Sequence, residues 1–184
     1  MRDLIVTENV TLDGVIDAKG GWFDVAGESD VDQSDLLAAL QEQAGAADAF
    51  LVGRVTFEDM RGYWPHQSDD TTGVTDYLNR VSKYVVSRTM RDPRWEHTTV
   101  LSGLGEIRAL KAVPGEDIVT TGSITLVREL IAAGLVDEYR LFVYPVVLGQ
   151  GEKLFDDAGG AAALRLVEAR PFRSGVVLLR YRTT

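Results

Sequence analysis

Four short segments of the chain combine residue types that bind anions or transfer protons, and each follows a run that predicts a β-strand. They are Glu8-Asn9, Gly53-Arg54-Val55-Thr56, Ser87-Arg88 and Gly122-Ser123. Arginine donates to phosphate in a bidentate manner, and the free N–H groups and dipole of a helix N-terminus favour negative charge. If the four segments meet in the folded protein, the ligand that they favour is a dinucleotide with several phosphates. Gly122 taken alone is explained equally well by a tight turn between a strand and a helix.

The apolar periodicity around these segments predicts strands that alternate with helices. Strands are expected at residues 4–10, 49–52, 83–87, 99–101, 118–121 and 139–143, with an antiparallel pair at 164–167 and 176–181. Helices are expected from an N-cap at Ser34 to Gln43, from Arg54 with Thr56 as its cap, at 74–81 and 106–112, and from Ile124 to a C-cap at Gly134.

This alternation predicts an α/β fold of three layers, in which helices cover both faces of a mainly parallel sheet with an antiparallel C-terminal pair. Ligands of such sheets bind beyond the carboxyl ends of the strands. All four polar segments are expected there, so the fold would bring them together.

Composition and charge limit the classes of partner. The 184 residues fit one domain, 1–184, with 45% apolar and 26% charged residues. The net charge of −9 argues against nucleic-acid binding and against adsorption to an anionic membrane. No apolar run is long enough to span a bilayer, and the N-terminus has no signal pattern, so a cytoplasmic protein is expected.

Several chemistries find no support in the sequence. The absence of cysteine excludes disulfides, thiolate zinc sites and cysteine nucleophiles. The two histidines, His66 and His97, lack neighbouring metal ligands, so no metal site is expected. Gly149-Gln150-Gly151 lacks the third glycine of a dinucleotide-binding fingerprint, and there is no Walker A motif or serine nucleophile elbow. A hydrolase is therefore disfavoured.

The order of the motifs resembles the dihydrofolate reductase fold family. The resemblance is carried by Thr11-Leu12-Asp13-Gly14, Gly53-Arg54-Val55-Thr56-Phe57-Glu58, Val85-Val86-Ser87-Arg88 and Thr121-Gly122-Ser123. Residues 136–139 and 145–155 are similar to one branch, the C-terminal reductase domain of the riboflavin-biosynthesis deaminase/reductase. The resemblance covers almost the whole chain and implies a dihydrofolate reductase-like fold and a homodimer.

The resemblance also implies NADPH as cofactor and hydride transfer to a small heterocycle that is pterin-like or aminopyrimidine-like. By this similarity Arg54, Ser87 and Arg88 hold the adenosine 2′-phosphate, and Thr56 with the N–H groups around Gly122 holds the pyrophosphate. Ser123 and Ile124 accompany Gly122 at the pyrophosphate, and Glu8, Asn9, Gly14 and Val15 would border the nicotinamide. The remaining implied cofactor residues are Gly53, Val55 and Leu126.

Hydride transfer needs a proton source as well. Glu8 is the first candidate, because a carboxyl group at the end of a buried strand should have its pKa raised by desolvation. Asp13 and Asp35 come next. A hydrogen bond from Glu8 to loop backbone is an equal alternative.

Aromatic residues in two loops are candidates for contact with the substrate. Trp22 and Phe23 lie in a loop rich in glycine, including Gly20 and Gly27, which suggests a lid over a ligand. Tyr63 and Trp64 are candidates for stacking on the substrate ring. Packing in the core is the alternative for these aromatic residues.

Two features differ from dihydrofolate reductases. Thr121 stands where that family has a glycine, and apolar residues near Phe142-Val143 replace the threonine that usually assists the pterin-binding carboxylate. Asp32 and Asp35 are the candidates for that carboxylate. Two other functions therefore stay open: a catalytically inactive nicotinamide-nucleotide-binding protein, and a flavin-dependent redox protein that uses the same cleft.

Overall fold

The computed structural model describes residues 1–19, 21–23, 31–70, 72–155 and 163–184. The predicted loop glycines Gly20 and Gly27 lie outside these residues. The strands are β1 Leu4–Thr11, β2 Ala47–Gly53, β3 Ser82–Val86, β4 Thr98–Leu101, β5 Asp117–Thr120, β6 Glu138–Tyr144, β7 Leu164–Pro171 and β8 Val177–Thr183. The helices are α1 Ser34–Gly45, α2 Arg54–Tyr63, α3 Val74–Arg80, α4 Leu104–Ala112 and α5 Ile124–Ala132, with a short 3₁₀ helix, Trp64–His66, after α2.

All of these strands join one sheet in the order β4-β3-β2-β5-β1-β6-β8-β7. The pairs among β1 to β6 are parallel. β8 runs antiparallel to β6, and β7 runs antiparallel to β8. The predicted α/β architecture with an antiparallel C-terminal pair is confirmed. β1 lies inside the sheet between β5 and β6, which explains why its sequence is apolar with little alternation.

Helices cover both faces of the sheet. Because side chains alternate along a strand, the even-numbered residues of β1 face α4 and α5. Their cluster includes Leu4, Val6, Val10, Leu51, Ile107, Ile118, Val127 and Leu130. On the opposite face, Phe50 and Val52 pack with α2 and α3, and Phe142 and Leu178 pack with α1.

Two predicted helix caps are wrong. α1 begins at Ser34 itself, and the backbone N–H of Ser34 donates to the Asp32 carboxylate at 2.9 Å. α2 begins directly after Gly53, and Thr56 lies in its first turn without capping it. The predicted C-cap glycine of α5 is confirmed, because Gly134 is left-handed with φ 62° and donates its N–H to Ile131 O.

Candidate functional site

A groove of about 1040 Å³ runs along the carboxyl ends of the parallel strands. It crosses the turns after β3, β2 and β5, which follow one another in the sheet, and reaches the loop after β1. Three of the four predicted segments meet there. The predicted cofactor residues that line it are Gly53, Arg54, Val55, Thr56, Ser87, Arg88, Gly122, Ser123, Ile124 and Leu126.

Two hydrogen bonds join the turn after β2 to the turn after β5. The Ser123 N–H donates to Thr56 Oγ1 at 3.1 Å, and the Gly53 N–H donates to Ser123 Oγ at 2.9 Å. Gly122 and Ser123 are both left-handed, with φ 56° and 55°. Ser123 therefore holds the N-termini of α2 and α5 side by side at the groove. The first-turn N–H groups of both helices have no intrahelical acceptor and are available to an anion.

Two arginines stand where the groove crosses β2 and β3. Arg54 pairs with Glu58 one turn along α2, at 2.7 Å. Arg88 is exposed and lines the groove. Ser87 Oγ accepts the backbone N–H groups two and three residues further along, at 3.2 and 3.0 Å, and so shapes the turn that presents Arg88. Positive charge at one end and N–H donors in the middle suit a ligand with several phosphates.

Glu8 lies behind the groove and does not line it. Its side chain is on the α5 face of β1 with Val6 and Val10, and it is 4% exposed. Burial raises the pKa of Glu8 to about 8, against a lowering by the Gly122 backbone N–H. Glu8 Oε1 is buried without a hydrogen-bond partner in the described structure. The predicted rise in pKa is confirmed, and the carboxyl group is mostly protonated at pH 7.

The loop after β1 is held by a second segment, and we call residues 12–16 with residues 146–154 the clasp. Backbone hydrogen bonds join the two segments at three places, from Leu12 to Val146, from Ile16 to Glu152 and from Leu154 to Gly14. Val15 is fully buried, and a Cβ atom on Gly151 would lie 2.6 Å from it. The motif at residues 145–155 therefore positions the loop.

Asp13 belongs to this clasp. Its carboxylate accepts hydrogen bonds from Thr11 Oγ1 at 2.6 Å, from the Gly149 N–H at 2.8 Å and from the Leu148 N–H at 3.3 Å. These donors, the Thr11 hydroxyl first, lower the pKa of Asp13 to about 2. Asp13 is thus ionised at neutral pH and poorly suited to donate a proton.

The other predicted residues lie away from the groove lining. Asp35 accepts the Arg173 N–H at 3.1 Å, which joins α1 to the turn between β7 and β8. Asn9 is exposed on the face of β1 opposite Glu8, and Gly14 and Val15 are held in the clasp.

The four aromatic candidates pack against neighbouring groups. Trp22 is 3% exposed, and its indole N–H donates to Asp17 O at 2.8 Å, so core packing accounts for it. Phe23 packs on Trp22, and Tyr63 packs on Trp64. None of these four lines the groove.

Sequence reasoning missed several residues that line the groove: Ile16, Asp17, Lys19, Asp59, Ser102, Thr125, Glu129 and Glu152. Thr125 and Glu129 are polar and four residues apart on α5, so helical periodicity could have found them once the N-terminus of α5 was taken as a site. Ile16, Asp17 and Lys19 reach the groove through the clasp, which no local pattern indicates.

Among the described residues no group of three His, Cys, Asp or Glu side chains could hold a metal ion. No described helix is long and apolar enough to cross a membrane.

The chain is similar to several known proteins along its whole length. The family model of the RibD C-terminal domain matches residues 2–178. The Bacillus subtilis (strain 168) protein YyaP is 35% identical, over 98% of this chain and 94% of YyaP. A candidate riboflavin biosynthesis protein from Shewanella sp. PV-4 has a TM-score of 0.72 at 18% identity and covers 99% of each chain. A pyrimidine reductase-like protein from Corynebacterium diphtheriae has a TM-score of 0.65 at 18% identity and covers 100% of this chain and 92% of that one.

Proposed function

Because the chain belongs to the RibD C-terminal domain family, we propose that it is an NADPH-dependent reductase of a small heterocycle. The observation that carries this proposal is the pair of joined helix N-termini that share one groove with Arg54 and Arg88. The pyrimidine reductase-like relative favours an aminopyrimidine-like substrate, and a pterin-like one is the alternative. A homodimer accompanies the proposal, with the exposed Leu166 and Val167 of the outer strand β7 as candidate contacts.

The groove's donors fit the phosphates of a dinucleotide. Thr56 and Ser123 act as acceptors where they join the two turns, so each hydroxyl keeps its hydrogen for a phosphate oxygen. The pyrophosphate would lie between the N-termini of α2 and α5, and Arg88 with Arg54 would hold the 2′-phosphate. When bound, NADPH supplies the hydride.

The three predicted acids differ in their surroundings. Glu8 keeps its proton at neutral pH beside the Gly122 turn. Asp13 is ionised, and Asp35 is engaged with the Arg173 N–H. Glu8 therefore holds a proton behind the groove wall, where it can act on a bound cofactor but does not contact a substrate. Because Glu8 lies behind Gly122 and does not line the groove, it cannot give its proton directly to a substrate. This favours one alternative, a nicotinamide-nucleotide-binding protein that does not catalyse a reaction.

Titration of the purified protein with NADPH and NADH tests the proposal, with Arg88→Ala as the variant. We expect wild type to prefer NADPH, and Arg88→Ala to bind NADPH roughly 10- to 100-fold more weakly with NADH affinity little changed, because a charge-assisted contact is worth roughly 1.5–3 kcal/mol. Arg108→Ala is the matched control, because Arg108 is exposed on α4 and does not line the groove.

A wild-type protein that binds no NADPH would contradict the proposal. Turnover with an aminopyrimidine or a pterin would support the reductase, whereas tight NADPH binding without turnover of either class would favour the non-catalytic alternative.

A further inference from the structure

We infer that Glu8 compensates the charge of the nicotinamide: it keeps its proton while the ring is reduced and neutral, and releases that proton when the ring is oxidised and cationic. The inference rests on the proposed function, and it assigns to that site a dependence of cofactor preference on pH. It makes Glu8 a proton-releasing group behind the groove wall, without contact to the substrate.

The direction of the groove brings the nicotinamide half of the cofactor toward Glu8. Arg88 follows β3, Arg54 follows β2 and Gly122 follows β5. The strands β3, β2 and β5 are neighbours in that order, and β1 comes next. A dinucleotide with its 2′-phosphate at Arg88 and its pyrophosphate between the helix N-termini extends next toward the end of β1. Ile16, just after β1, lines that end of the groove.

Glu8 lies one layer beneath this end. It is on β1, and its carboxyl group is close enough to the Gly122 N–H for that group to influence its pKa. Gly122 itself lines the groove. Glu8 Oε1 and the neighbouring hydroxyl Thr120 Oγ1 are both buried without hydrogen-bond partners in the described structure. A buried carboxyl group without a partner cation is stable only as the neutral acid.

Among the described residues, Glu8 has no ion pair with a cationic side chain. On its face of the sheet, β5 contributes Thr120 and β6 contributes Tyr139, whose pKa is raised by burial so that it stays neutral. The ionisable groups on the other packed elements are Glu106, Arg108 and Lys111 on α4, Arg128 and Glu129 on α5, Asp17 and Lys19 in the loop after β1, and Asp13, Glu152 and Lys153 in the clasp.

The cations among these groups are paired or exposed: Lys111 pairs with Asp137, and Arg108 and Lys153 are exposed. Arg128 pairs with Glu152 at 2.8 Å, and Lys19 pairs with Asp17 at 3.3 Å. Glu129 lines the groove and is exposed. A cationic ring at the end of the groove would bring an unpaired positive charge toward Glu8, and in a poorly hydrated site it would strongly favour the ionised carboxylate.

The test is the ratio of the dissociation constants of NADP⁺ and NADPH, measured from pH 6 to pH 9. Both forms carry the same phosphates, so their titration cancels in the ratio. For wild type we expect the preference for NADP⁺ to rise by about tenfold per pH unit up to about pH 8, and then to level off. Glu8→Gln should give a ratio that does not vary with pH. Glu116→Gln is the matched control and should keep the wild-type slope, because Glu116 is exposed and does not line the groove.

A second measurement needs no variant. Calorimetric titration of wild type at pH 7 in two buffers of different ionisation enthalpy counts the protons released on binding. We expect nearly one proton to be released with NADP⁺ beyond any released with NADPH. Equal proton release for the two forms, or a pH-independent ratio in wild type, would overturn the inference and leave the cofactor assignment standing. If neither form binds, the proposed function fails first.

Discussion

Glu8 and Asp13 lie five residues apart at the end of the central strand, yet the structure gives their carboxyl groups opposite properties. Glu8 is buried under α5, and its pKa is raised to about 8. Asp13 is in the clasp, where hydroxyl and backbone N–H donors lower its pKa to about 2. The same residue class therefore serves two purposes, a proton store behind the groove and an anchor for the loop that borders it.

The difference arises from side-chain direction and from available donors. Side chains alternate between the two faces of β1, so the side chain of Glu8 points into the apolar layer beneath α5. Few groups there can replace the water that would hydrate its carboxylate. The chain leaves the sheet after Thr11, so Asp13 meets the N–H groups of Leu148 and Gly149. A carboxylate that accepts several hydrogen bonds is stabilised in its ionised form.

The largest expected effect is that of Glu8 on the pH dependence of stability. The folded protein holds the Glu8 proton up to about pH 8, whereas the unfolded chain loses it near 4.5. Between those values the folded state binds more protons, so the free energy of unfolding should fall as pH rises. Glu8→Gln should remove this slope and be more stable than wild type at pH 9, by roughly 5 kcal/mol.

Chemical denaturation at pH 5, 7 and 9 measures this effect. Asp13→Asn is the control, because Asp13 titrates below this range and the slope should persist. A Glu8→Gln protein that keeps the wild-type slope would show that Glu8 is not the group responsible.

The next largest effect is expected from substitution of Gly151, a clasp residue whose backbone lies against Val15. Gly151 has φ 125°, and an added Cβ would lie 2.6 Å from Val15, whereas Gly149 has φ 75° and open space around it. Gly151→Ala should lower the free energy of unfolding by roughly 2–4 kcal/mol, because strain and a steric clash add. Gly149→Ala should cost only about 1 kcal/mol, from the left-handed conformation alone.

Thermal unfolding of the two variants side by side checks this prediction. Equal losses of stability would mean that the contact between Gly151 and Val15 does not hold the loop.

The smallest expected effect concerns Asp13 itself. Asp13→Asn keeps the shape of the side chain but replaces one acceptor oxygen by a donor, so the N–H groups of Leu148 and Gly149 lose part of their partner. We expect a modest loosening of the clasp, seen as faster amide exchange at residues 12–16 and 148–149 with β1 unchanged. Uniform exchange rates in variant and wild type would argue against an anchoring role.

Much of the fold and part of the site could be predicted from sequence. Parallel strands place their carboxyl ends at one edge, so Arg54, Arg88 and Gly122 could be assigned to one groove from their positions directly after predicted strands. The burial of Glu8 also followed from its position in an apolar strand.

The remaining features depend on contacts distant in sequence. Thr56 looked like a helix cap because its real partner, the N–H of Ser123, is 67 residues away. Trp22 looked like a lid residue because the sequence could not show that its indole N–H bonds to Asp17 O. Motif 145–155 could be recognised from its sequence, but its contact with Val15 became visible only in the fold.

The central claim is that NADPH occupies the groove between the N-termini of α2 and α5, and amide hydrogen exchange with and without NADPH tests it most directly. We predict that the cofactor slows exchange at residues 53–57, 87–90 and 122–127, and leaves the Asp35 end of α1 and the turn at 172–176 unchanged. Protection elsewhere, with none at 53–57 and 122–127, would contradict the account.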